Sequence, residues 1–276
     1  MDYIFANTIA NKENLISYSK LLSTTFPDTE KYSVEFLNWQ YNQNPLGKVI
    51  GFDAFYNNEL VAHYVAIPVL YTKNNQKFKG LLSLNTATHP NHTGKGLFIN
   101  LASKTYQHAK ELGYEFVIGV ANQNSSHGFI KKLGFELISK LDVSICIGKP
   151  AIQNFDRDIF LSSVWDESSA LWRLNNPISK YNRNNMCLTA KTHISFINAL
   201  LSEREEFKTV SLTQKKSIFK LVIGLNTINP KRLLKIKIPD KLKQSPLNLI
   251  FKPLTELPFK FDSSNIYFEL IDFDAY

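Results

Sequence analysis

Two glycines one residue apart, Gly94 and Gly96, stand in the segment Asn91-His-Thr-Gly-Lys-Gly96. Upstream, residues 80–88 read as a strand that stops at His89-Pro90. Downstream, Leu97, Phe98, Leu101, Ala102, Thr105, Ala109 and Leu112 recur at helical spacing. Gly113 follows where a left-handed residue closes a helix. The order is strand, glycine turn, helix. The first turn of such a helix has unpaired N–H groups and the positive end of the helix dipole, and glycines let a ligand come close to the main chain. Such a turn binds phosphate, with Thr93, Gly94, Lys95, Gly96 and Leu97 as the candidate cradle. It is not a P-loop, because Gly96 follows Lys95 where Ser or Thr is needed, and it is not G-x-G-x-x-G, because Ile99 holds the third glycine position.

A second constellation follows. Residues 116–120 read as a short buried strand, and the segment after them carries Asn122, Asn124 and Ser125, then Lys132, Gly134 and Phe135. The two segments resemble consecutive motifs of the GCN5-related N-acetyltransferase (GNAT) superfamily. The first is Q/R-x-x-G-x-G/A, with Asn91 at the Gln/Arg position. The second is N-x-x-S/A-x-x-x-Y-x-K-x-G-F. The resemblance covers about residues 50–148. It implies an α/β (α+β) fold with a mixed, mostly antiparallel sheet and helices on both faces. It also implies that the loop holds the pyrophosphate of an acyl-coenzyme A. Main-chain groups of Ala87, Thr88 and His89 would then meet the acyl carbonyl and pantetheine arm, and Asn122, Asn124 and Ser125 would meet the pantetheine amides.

N-acylation by a thioester needs the acyl-CoA held, the carbonyl polarised, the amine deprotonated and the leaving thiolate accommodated. Fixed backbone dipoles do the polarising without reorganising. The sequence departs from the family at the other two steps. The strand before the loop carries Ser83, Asn85 and Thr86 where many members place a Glu, and Ile130 occupies the usual Tyr position. His63, on a strand expected next door, and Asp142, on the last strand pair, are the candidate bases. The alternative is a water chain, with Asn85 and Thr86 orienting the amine against the thioester.

The elements that position these residues are legible in part. Residues 13–25 read as a helix ended by Phe26-Pro27. Residues 36–45 are aromatic-rich, and Trp39 and Tyr41 suit either a core or a pocket wall. Residues 53–56 and 60–66 flank Asn57-Asn58 as a hairpin, Asn74-Asn75 marks a further turn, and residues 137–147 read as a final strand pair. Ten of the eleven glycines lie at or before Gly148, so a second domain is expected from residue 150. The expected division is 1–149, an acyl-CoA-binding domain, and 150–276, a smaller, degenerate GNAT-like domain that helps form the acceptor cleft. Trp172-Arg-Leu-Asn-Asn-Pro177 echoes Trp39-Gln-Tyr-Asn-Gln-Asn-Pro45 one residue shorter, which leaves an internal repeat open. In that half, residues 186–190, 247–251 and 266–271 read as strands and 194–201 as a helix.

With 276 residues the chain can bury a sizeable core. Its net charge of +8 suits anionic ligands in general, yet nothing resembles a nucleic-acid motif. Cys146 and Cys187 lie in apolar stretches without a C-x-x-C, so neither a disulfide scaffold nor a metal site is expected. No run reaches the ~20 apolar residues of a membrane span, and Lys12, Glu13 and Lys20 break up the N-terminal region, so the expectation is a cytoplasmic protein. The basic run 231–243 is either a solvated face or a contact for a diphosphate. The functional expectation is transfer of an acyl group from CoA to a primary amine, foremost that of a nucleotide-linked amino sugar. Peptide, protein or aminoglycoside acylation and a non-catalytic acyl-CoA-binding module are the alternatives.

Overall fold

The computed structural model describes residues 2–26, 30–147, 160–184, 187–207, 212–214, 217–227, 234–239, 241 and 245–273. The composition break at 148–150, Met186 and part of the basic run 231–243 lie outside the described residues.

The N-terminal half runs β1 (Ile4–Asn7), α1 (Lys12–Thr25), α2 (Val34–Asn42), β2 (Ile50–Tyr56), β3 (Glu59–Lys73), β4 (Gln76–Thr88), α3 (Leu97–Glu111), β5 (Phe116–Ala121), α4 (Gln123–His127), β6 (Glu136–Lys140) and β7 (Asp142–Ile147). The hairpins form where the asparagines predict. Asn57 and Asn58 have φ of 50° and 63°, and Asn74 and Asn75 have 50° and 60°, which suits two-residue turns between twisted strands. Asn11 caps α1 by accepting from the Asn14 amide, and Ser33 caps α2 by accepting from that of Phe36. The sheet buries both faces. Leu15, Leu22, Phe36 and Leu37 of α1 and α2 pack on one side, and Leu97, Leu101, Ala102 and Ala109 of α3 on the other.

The C-terminal half runs β8 (Leu161–Ser163), α5 (Glu167–Leu174), β9 (Tyr181–Asn184), β10 (Cys187–Lys191), β11 (Ile197–Ser202), β12 (Phe219–Leu225), β13 (Leu234–Lys237), β14 (Asn248–Pro253) and β15 (Ile266–Glu269). The helix expected at 194–201 is strand β11. Its apolar positions fit a helix by spacing, but residues 198–202 are all buried, as in a strand covered on both faces.

The halves exchange strands. β14 lies antiparallel between β5 and β6, and β7 lies antiparallel between β12 and β13. In each half this places the borrowed strand beside the second member of a parallel pair, β4–β5 in the first and β11–β12 in the second. So β6 and β7, expected as one strand pair, take distant places in one sheet, β6 beside β14 and β7 between β12 and β13, and strand pairing crosses the expected cut at 149/150 in both directions.

The sequence echo is a structural one. Trp39 and Trp172 stack with centroids 4.8 Å apart and planes at 15°. Each indole N–H donates to the other tryptophan's carbonyl, at 2.8 Å and 3.2 Å. The prolines that follow sit in matching turns, where Asn44 Oδ1 accepts from the Leu46 amide and Asn176 Oδ1 from that of Ile178. This near-symmetric contact locks α2 to α5, so the second half is fixed against the first.

Candidate functional site

β4 and β5 pair in parallel only from Gly80–Leu82 to Phe116–Ile118. Beyond that point no strand among the described residues pairs with the outer edge of β4, while its inner edge stays paired to β3 as far as Thr88. Every second residue of a strand directs its main-chain groups to one edge, so the 83–88 segment offers N–H and C=O groups to a wedge that opens toward the glycine turn.

At that open end, Gly94 and Gly96 adopt φ of +72° and +74°. Gly96 occupies the N-cap position of α3 and supplies no side-chain hydrogen bond, so the first-turn amides, Leu97 included, keep their donors. A Cβ at either glycine would meet no atom within 4 Å, so the space over the helix start is open. Lys95 and Thr93 flank it, exposed, with the Thr93 hydroxyl donating back to the Pro90 carbonyl. Main-chain donors, helix dipole, open space and a lysine fit a diphosphate. His89 is a turn builder: its amide donates to Val61 O, and its Nδ1 accepts from the Asn91 amide.

Inside the wedge, two β4 residues, Asn85 and Thr86, face one β3 residue, Tyr64. This bulge puts Asn85 at φ +46°. Asn85 is buried, and its Nδ2 donates to Gln40 Oε1 at 2.6 Å and to the Tyr41 hydroxyl at 2.9 Å. Both amide hydrogens are committed, so Oδ1 is the side-chain atom left to accept from a ligand. Thr86 is half-buried beside it, Ala87 is buried, and Thr88 ends the strand half-buried.

A buried chain of hydrogen bonds holds that amide. The Tyr41 hydroxyl, accepting from Asn85, donates to His63 Nε2 at 2.9 Å. His63 Nδ1 then carries the proton and donates to Asp53 Oδ1 at 2.6 Å. Asp53 also accepts from the Tyr18 hydroxyl at 2.6 Å and the Thr8 hydroxyl at 3.1 Å. The His63 ring stacks on Tyr18 at 4.3 Å. Burial first, and then the Asp53 charge, push the Tyr18 phenol well above its ordinary range. His63 is therefore not a base at the wedge surface: it is fully buried, with Nε2 aimed at Tyr41. Sequence reasoning missed Gln40, Asp53 and Tyr18. The hairpin turn brings Asp53 near His63, but a bulge between Ala54 and Phe55 sets the actual pairing.

The structure does not bring Asp142 to this place. The exchange carries β7 between β12 and β13 of the second half, where Asp142 is ion-paired to Lys237 at 2.8 Å and more loosely to Lys235 at 3.9 Å. Asn122 is the N-cap of α4: its Oδ1 accepts from the amides of Asn124 and Ser125, both at 3.0 Å. It shapes the turn after β5, and Asn124 stands exposed on it beside half-buried Ser125. The next five residues, Gly128–Lys132, form a π-helical turn carrying Ile130. Among the described residues no group of three or more His, Cys, Asp or Glu could hold a metal ion.

A parallel pair parting over an uncapped glycine turn, with a bulge on the strand before it, is distinctive. Residues 8–138 match the family model of the acetyltransferase (GNAT) domain. The fold is the GNAT fold. Solved structures agree over nearly the whole chain. A probable N-acyltransferase from Enterococcus faecalis superposes with a TM-score of 0.59 at 9% identity, covering 92% of this chain and 73% of that one. A GCN5-related N-acetyltransferase from Anabaena variabilis gives 0.58 at 10% identity, with 91% and 73% coverage. Eis1 from Mycobacterium abscessus gives 0.54 at 11%, with 92% and 74%. No curated protein matches the chain by sequence. Both halves fall within these superpositions, but only the first GNAT-like half carries the glycine turn.

Proposed function

We propose that the protein is an acyl-CoA-dependent N-acyltransferase acting on a primary amine. One observation carries this reading: the open turn at Gly94 and Gly96 leads directly into the wedge between β4 and β5. In this reading the amides around residues 94–97 hold the diphosphate of acyl-CoA, the pantetheine arm lies along the free edge of β4, and the thioester rests at the bulge. The amine nitrogen attacks the thioester carbon, a main-chain N–H at the bulge holds the developing oxyanion, and the C–S bond breaks. Asn85 Oδ1 accepts from the amine and aims it. The amine's proton leaves through water and the thiolate is protonated from water, since Ile130 replaces the usual phenol and neither His63 nor Asp142 faces the wedge. Asn122, Asn124 and Ser125 line the pantetheine side.

For the acceptor our reading is the amino group of a nucleotide-linked sugar, supported by the second half packed beside the first through the stacked Trp39 and Trp172. A cytoplasmic location follows from the need for CoA. The test is thiol release from acyl-CoA against a panel of nucleotide-linked amino sugars, aminoglycosides and peptides with free amino ends. Release with the sugars supports the full reading, and release only with peptides or aminoglycosides moves the acceptor. The missing carboxylate and phenol favour one second reading, a module that binds acyl-CoA without turnover. Tight binding with a flat thiol signal on every amine would establish it.

A further inference from the structure

On the α2 side of the sheet, a half-open cavity lies against Leu82, at the point where β4 and β5 part. Leu82, the last β4 residue in parallel register with β5, lines it, and so does Gln40, the acceptor of the Asn85 amide. The cavity continues along one face of the β3–β4 ladder, past Ile67 opposite Leu82 and Val69 opposite Gly80, to Tyr71 opposite Phe78. The second half borders it with Val164, Trp172 and the buried side chains of Arg173 and Asp272. Leu82, Ile67 and Val69 give it an apolar wall, and polar groups lie at both ends, Gln40 near Leu82 and Ser163 and Asp272 at the far end.

We infer that this cavity receives the tail of the acyl group, and that the preferred donor carries a short acyl chain longer than acetyl. The inference rests on the acyl-CoA reading of the glycine turn. From Thr88 back to Leu82 the strand covers about 20 Å at ~3.3 Å per residue, with the bulge at Asn85 and Thr86 part-way along it. A donor gripped at residues 94–97 and laid along β4 brings its reacting end to the bulge at Asn85, beside Gln40, whose side chain lines the cavity. A tail continuing the same line enters the cavity rather than solvent. The volume is about 40 Å³, against about 10–15 Å³ for one water by the same measure, which is room for roughly three methylene-sized groups. A longer tail would press against Asp272 and Arg173, whose burial and hydrogen bonds hold them in place. The second half thus sets the donor's chain length.

Calorimetric titration with free CoA and with ethyl-, butyl-, pentyl- and decyl-CoA thioethers, which cannot transfer, tests this. Affinity should rise about threefold per added methylene up to a tail of about five carbons, then drop at decyl by about tenfold or more as the chain meets buried charge. Val69→Phe and Val164→Phe should each abolish the rise and leave free CoA and ethyl-CoA affinity within about twofold. If Val69→Phe loses its native circular dichroism, Val164→Phe and the wild-type chain-length profile still decide. Measurable CoA binding with affinity flat or falling from ethyl onward overturns the cavity assignment and spares the acyl-CoA reading. No heat with any member of the series overturns both.

Discussion

The two halves share one scaffold and treat the same opening in opposite ways. In the first, β4 and β5 part beyond Leu82 and Ile118, and no strand among the described residues fills the wedge. In the second, β11 and β12 run parallel from Ile197–Leu200 to Phe219–Val222, and then β15 takes the vacated edge of β12 at Gly224 and Leu225. The opposite edge of β12 is occupied by β7 as far as Gly224, so β15 sits in the equivalent wedge. Its main chain comes so close that a Cβ at Gly224 would lie 2.3 Å from Phe268 O. The connection differs to match. Residues 89–115 supply a glycine turn and the long helix α3, while the described part of 203–218 has only a 3₁₀ turn, Glu205–Phe207, and no glycine.

The filled wedge is held by charge. Arg204, 1% exposed, bonds Glu269 at 2.6 Å and Asp272 at 3.2 Å. Ser202 and Tyr267 donate to the same Glu269 carboxylate. Where a ligand site would open, the second half has its own chain and a satisfied ion network. The comparison teaches that, on the proposed reading, the glycine turn rather than the sheet separates a binding half from a supporting one.

The largest expected effect tests the plug. Arg204→Met leaves Glu269 and Asp272 buried without their cation and should cost about 3–5 kcal/mol, read as a lowered midpoint in denaturant. A loss under about 1 kcal/mol would mean that the plug is not held by this network. The second effect is on pH. Burial first, and then the Glu269 charge, push the Glu203 carboxyl from near 4.5 up to about 8. Between those values the native state keeps a proton that the unfolded chain releases, so stability should fall as pH rises through the window. The slope is at most about 1.4 kcal/mol per pH unit. Glu203→Gln should flatten it, and an unchanged slope would assign the dependence elsewhere.

The third effect is in the open half. Asn85→Gly keeps a residue that tolerates φ > 0 and removes the amide. Turnover on any amine that reacts should fall about tenfold, worth ~1.4 kcal/mol, with CoA affinity within about twofold. A matching loss of CoA affinity would show that Asn85 holds the donor instead of aiming the acceptor. The smallest effect is a control. Asp142 is 44% exposed and paired with exposed Lys237, so Asp142→Asn should change turnover less than about twofold, because surface pairs contribute little. A hundredfold loss would return Asp142 to the chemistry.

What was legible in the sequence was local. The glycine turn, both Asn-Asn hairpins, α1 and α3 follow from residue types whose conformational demands are met within a few positions. The Trp-to-Asn-Pro echo was visible too, because the same contact imposes the same residues on both halves. Pairing between distant segments was not legible. Nothing in residues 136–147 signals that β6 and β7 part to pair with β14 and with β12 and β13, which is why the sequence alone puts Asp142 near the amine. The bulges at Asn85 and at Ala54/Phe55 shift register by one residue without a glycine to announce them. They are what join Asn85, Tyr41, His63 and Asp53 into one buried chain. β11 was misread because a strand buried on both faces has no alternation to betray it.

The most direct test of the account is calorimetric titration of CoA into the wild-type chain and into the Gly94→Val/Gly96→Val double variant. Both glycines sit at φ above +70° with open space above them, so the variant should strain the turn and crowd the phosphate site while the fold, followed by circular dichroism, persists. The account predicts micromolar-range heat for the wild type and a loss of about a hundredfold or more in the variant. Equal binding by both proteins, or no binding by the wild type, would contradict it.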